Sequence, residues 1–111
     1  NLSYFDESAY RDDLIKAIER TLTLSPTDVS TFLTLSVYYE RLGEYQKALD
    51  LLNKATEWKP DLAKAWYRKG EITYDIYKTS KNEDDKKRAN EYQLKAIELS
   101  PESEEFKQQY D

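Results

Sequence analysis

Residues 29–62 read VSTFLTLSVYYERLGEYQKALDLLNKATEWKPDL, and this stretch decides the fold. Phe32, Leu35, Val37, Tyr38, Tyr39 and Leu42 recur at helical spacing, and Gly43 then supplies a stop. Gly43-Glu44-Tyr45 predicts a tight turn into a second helix, Tyr45 to Trp58. Pro60 forbids that helix from continuing, because proline lacks a backbone N–H and clashes with the preceding turn. The predicted unit is a pair of helices packed back to back and closed by a proline.

The same unit recurs on both sides. Pro26, Pro60 and Pro101 lie 34 and 41 residues apart. Lys54-Ala55-Thr56-Glu57-Trp58 before Pro60 is matched by Lys95-Ala96-Ile97-Glu98-Leu99 before Pro101. Trp66 follows Phe32 by 34 residues, and Gly70, Ile72, Thr73, Tyr74 and Tyr77 repeat the theme. Helical segments are predicted at Tyr10 to Leu24 and Arg88 to Leu99. Thr27, Asp28 and Asp61 stand where a side chain can cap the next helix. A fixed period of this length is the mark of a stacked helical array.

The chain resembles the tetratricopeptide repeat family, whose unit is a 34-residue helix–turn–helix. In residues 29–62 the family positions hold Phe32, Leu35, Tyr39, Gly43, Tyr45, Ala48, Leu52, Ala55 and Pro60, with Ser36 where a smaller residue is usual. Residues 63–103 match in Trp66, Gly70, Ala89, Ala96 and Pro101; they depart in Lys69, where Leu is usual, and Thr73, where Tyr is usual. The resemblance implies an all-α fold, an α-solenoid of antiparallel helix-turn-helix pairs with a C-terminal capping helix. Its expected divisions are a partial first repeat at 1–28, a second at 29–62, a third at 63–103 with a seven-residue insertion, and a terminal helix at 104–111. The first helix of the third repeat is expected to run to Tyr77 or Lys78. A solvated loop then leads to a second helix starting near Asp84. Leu2, Tyr4 and Phe5 read as the stub of a missing first helix, and Phe106 and Tyr110 as the apolar face of the last one. Gly70, Ala48, Ala55, Ala89 and Ala96 are the expected close-crossing positions, with Phe32, Trp66, Tyr45, Leu52 and Trp58 filling the gaps around them.

Composition narrows the function classes. The 111 residues contain no Cys and no His, which removes disulfides, thiol nucleophiles and imidazole bases. No cofactor is expected. The net charge of −5 disfavours nucleic acid as a general partner. No apolar run approaches a membrane span. The absence of Met, even at residue 1, is expected of an excised or processed chain. Asp12-Asp13 and Glu83-Asp84-Asp85 lack the spacing of a calcium loop and read as helix-start residues.

The family resemblance implies a concave groove lined by the first helix of each pair. The candidate groove residues are Ser30, Leu33, Thr34, Val37, Glu40 and Arg41 in the second unit, and Lys64, Tyr67, Arg68, Glu71, Tyr74 and Asp75 in the third. Residues 59–88 carry net charge +3 between two segments of −4, so the third unit is a basic band. Lys64 and Arg68 lie four apart on one helical face. They resemble two positions of the carboxylate clamp in chaperone-binding members of the family, although Thr34 stands where that subgroup has Asn. A solvated basic pair and a site for another acidic peptide are the alternatives. The expected function is a non-catalytic interaction module binding a peptide or protein segment. The competing expectation is self-assembly, as a homo-oligomer, through exposed repeat ends.

Overall fold

The computed structural model of the chain describes residues 7–24 and 28–108. They form six helices: α1 (Glu7–Leu24), α2 (Val29–Arg41), α3 (Tyr45–Trp58), α4 (Ala63–Ser80), α5 (Glu83–Leu99) and α6 (Glu104–Lys107). The described chain is all-α. α2 packs on α3 and α4 on α5, α3 joins the two pairs by packing on α4, and α6 lies on α5. The radius of gyration is 15.4 Å, against about 13 Å for a compact chain of this length. The excess reflects the linear stacking of a solenoid.

Asp28 accepts hydrogen bonds from the N–H groups of Ser30 and Thr31, which fixes the start of α2. Asp61 does not act in this way: Leu62 occupies the cap position of α4, and no side chain bonds there. At the other end of α2, Gly43 adopts φ 77°. Its N–H and that of Glu44 donate to the carbonyls of Glu40 and Tyr39, closing the last turn. An added Cβ at Gly43 would meet nothing within 4 Å, so only the left-handed backbone resists substitution. Gly43→Ala is expected to cost about 1–2 kcal/mol, read as a lower urea midpoint at unchanged slope.

The main core joins α1 to α4. Ile18, Phe32, Leu35, Tyr39, Leu51, Leu52 and Ile72 are buried together, with Ala48, Ala55 and Ala65 at the close crossings. Ser36 is fully buried and donates its hydroxyl to the Leu33 carbonyl, so a polar residue fits this small position. Thr73 donates in the same way to the Lys69 carbonyl. α1 is tied down by Arg11, which donates to the Leu42 carbonyl at 2.6 Å and pairs with Glu44. Leu14 is half-buried against this core. The other expected members of the apolar end, Leu2, Tyr4 and Phe5, lie outside the described residues, as do Thr27 and Tyr110.

Three expectations are corrected. The solvated loop expected between Lys78 and Asp84 is a two-residue turn. α4 runs to Ser80 and α5 begins at Glu83, leaving only Lys81 and Asn82 between them. Lys81 takes the left-handed conformation, and the Asn82 side chain accepts from the Asp84 N–H. Glu83, Asp84 and Asp85 occupy the first turn of α5, where negative charge meets the positive end of the helix dipole. The second correction is Trp58, which is 62% exposed rather than core. The third is Trp66, which is only half-buried. Its ring nitrogen donates to the Pro60 carbonyl at 2.8 Å, and its face carries Lys69 at 4.4 Å. Lys69 also sits 4.7 Å from the Tyr92 ring and is just 6% exposed. The residue standing in for Leu is thus a lysine whose stem is buried and whose charge rests on two aromatic faces.

Candidate interaction groove

α2 and α4 stand side by side as the first helices of their pairs. Their shared face holds an open cavity of about 290 Å³, lined by Ser30, Leu33, Thr34, Val37, Lys64 and Arg68. Helical periodicity produces the set: Ser30, Leu33, Thr34 and Val37 lie three or four apart on α2, and Lys64 and Arg68 four apart on α4. Leu33 and Val37 make an apolar patch, and Lys64 and Arg68 form the wall facing it.

Farther along the groove, toward the C-terminal ends of both helices, the chemistry changes sign. The Arg68 guanidinium donates to Glu40 at 3.1 Å and to Glu71 at 3.3 Å. Glu40 also shares a hydrogen bond with Asp75. Two carboxylates therefore hold one arginine, and a third stands beside Glu40. Partial burial, then the bond to Asp75, pushes the Glu40 carboxyl up to about 7, against the pull of Arg68. Burial likewise raises Glu71, again opposed by Arg68. Arg68 is thus a bridge between α2 and α4, and its charge is already answered.

The remaining residues of the expected groove fall in different settings. Arg41 is exposed at the end of α2. Tyr74 is half-buried, with its ring 5.6 Å from Tyr77 and the Lys78 ammonium over it at 5.5 Å. Tyr67, expected to be open, is only 6% exposed, because Phe106 of α6 stacks on it at 5.1 Å. The Lys64 ammonium donates to Glu105 of the same helix at 2.8 Å. Lys64 and Arg68 are therefore not a free pair: each meets carboxylates of its own chain. Glu105 and Phe106 lie about 40 residues from Lys64 and Tyr67, and no local pattern announces the contacts.

No described helix is long and apolar enough to cross a membrane. Among known proteins, residues 29–62 match the tetratricopeptide repeat model. No curated protein matches the chain. Among solved structures, the crystal structure of MamA is similar at 20% identity, with a TM-score of 0.45, covering 88% of this chain and 77% of that one. Tetratricopeptide repeats generally mediate protein–protein interaction and are typically non-catalytic. The stretch that matches the tetratricopeptide repeat, residues 29–62, supplies one wall of the groove.

Proposed function

We propose that this chain is a non-catalytic interaction module that holds an extended segment of a protein partner between α2 and α4. The proposed division of the chain is a partial unit before residue 29, units at 29–62 and 63–103, and a closing segment after them. The observation that supports the reading most is the cavity itself. It draws its lining from two units, and it combines an apolar patch at Leu33 and Val37 with hydrogen-bonding side chains at Ser30, Thr34 and Lys64. A peptide site of this kind uses apolar side chains for affinity and a few polar groups for orientation.

The groove's polarity limits the ligand. An acidic side chain suits the Lys64 end, where the N-termini of both helices add positive potential. A second acidic group toward Glu40, Glu71 and Asp75 is disfavoured by like charge. The fitting segment carries one acidic residue beside an apolar one.

Selection from a displayed library of twelve-residue peptides tests this reading. Peptides selected on the wild-type chain are expected to lose at least tenfold in affinity for the Leu33→Glu, Val37→Glu double variant. They are expected to bind Lys87→Glu, on the exposed side of α5, unchanged. Equal binding to all three proteins would remove the groove as the site.

A further inference from the structure

Both cations of the groove are held within the chain, but not equally. Arg68 meets carboxylates from two long helices. Lys64 is held by Glu105 alone among the described ion pairs, and Glu105 rides on the four-residue α6. The Lys64 and Glu105 side chains are 43% and 53% exposed, so water and solutes reach the pair. Lys64 lines the cavity itself, which places the pair on the groove side of α4.

Other residues hold α6 in place. Phe106 is buried against Tyr67 and Ala96. The Gln93 side-chain amide donates to the carbonyls of Phe106 and Gln108 at 2.9 and 2.6 Å. Anchoring therefore belongs to Phe106 and Gln93, and Glu105 is free to serve another purpose.

The geometry points to α6 as a competitor built into the chain: Glu105 occupies, in cis, the Lys64 ammonium that an acidic side chain of a bound segment would take. This rests on the groove reading above and specifies one step of it. An incoming acidic residue next to an apolar one must displace Glu105, while the apolar residue settles on Leu33 and Val37. The exchange is between two exposed ion pairs, so it tunes affinity without closing the groove. Its size is about two- to fivefold at low salt, and it fades as salt screens both pairs.

The test is an NMR titration of the isotope-labelled full chain. The probe is a capped peptide, Ala-Glu-Leu-Ala-Ala, and the control is the same peptide with Gln in place of Glu. Glu105→Gln is expected to tighten the Glu peptide about two- to fivefold and to leave the Gln peptide unchanged. Unshifted amides of Phe106 and Gln108 in the free variant would report that α6 stays docked. Adding Lys64→Gln should weaken the Glu peptide and cancel the gain. Equal affinity of wild type and Glu105→Gln for the Glu peptide overturns the competitor, as does tightening of both peptides alike. A weaker Lys64→Gln with an unchanged Glu105→Gln sinks the competitor but leaves the groove standing. If neither peptide binds Glu105→Gln, the competitor is also overturned, and the groove is judged by the library selection.

Discussion

Phe32→Ala is expected to lower the unfolding free energy by about 3–5 kcal/mol. Phe32 is 1% exposed and sits where α1, α2 and α3 meet, among Ile18, Leu35 and Leu52. The fixed backbones of these helices cannot collapse into the space, so the loss combines ring transfer with an unfilled cavity. Stability for domains of this size is about 5–15 kcal/mol, so one substitution removes a large share. Urea unfolding followed by circular dichroism measures it. A loss under about 1 kcal/mol would show that the core relaxes around the gap and that α1 is not packed as described. Phe32→Leu, which keeps most of the volume, should lose much less.

Arg68→Ala is expected to cost about 1–3 kcal/mol at pH 8 and less at pH 5. The side chains of Arg68 and Glu40 are about one-fifth exposed, so the loss stays below that of a fully buried ion pair. The pH dependence follows from Glu40. Its carboxyl holds a proton up to about 7 in the folded chain, well above its ordinary value of 4.5. The folded state therefore binds the proton more tightly than the unfolded state does. That contribution to stability is fully present below about pH 4.5 and is lost as pH rises through 7. Removing Arg68 removes the attraction that opposes the shift, so the slope steepens. Melting temperatures between pH 5 and 8 read both effects. Glu40→Gln should flatten this part of the profile in either background, and an unchanged slope would show that Glu40 is not the titrating group.

Where the sequence was legible, one physical rule acted on neighbouring residues. Helical spacing, Gly43 and Pro60 bound α3 at Tyr45 and Trp58, and Asp28 caps α2 through bonds two and three residues away. The failures came where distant residues decide. The stretch between Lys78 and Asp84 reads as a loop because nothing in it is apolar. All of it but Lys81 and Asn82 is helical, because short-range pairs replace burial: Lys78 with Asp75, Arg88 with Asp85, the Tyr77 hydroxyl donating to Glu83, and the Ser80 hydroxyl donating to Asp85. Trp58 looked like core from its size, yet its position on α3 turns it to solvent. In the groove, the positions on α2 and α4 could be read from the repeat. The state of each cation could not, since Arg68 finds Glu40 across 28 residues and Lys64 finds Glu105 across 41.

The two-residue turn at Lys81 and Asn82 has a consequence for the order of events in folding. It joins the two longest paired helices of the chain, of 18 and 17 residues. Closing so short a connection sacrifices little chain entropy, and the contacts it brings together are close in sequence. The α4–α5 hairpin is therefore the natural nucleus, on which α3 and then α2 can dock in turn. α1 joins last, since it reaches the nucleus only through elements already in place. Amide hydrogen exchange is accordingly expected to be slowest in the α4–α5 hairpin and fastest in α1.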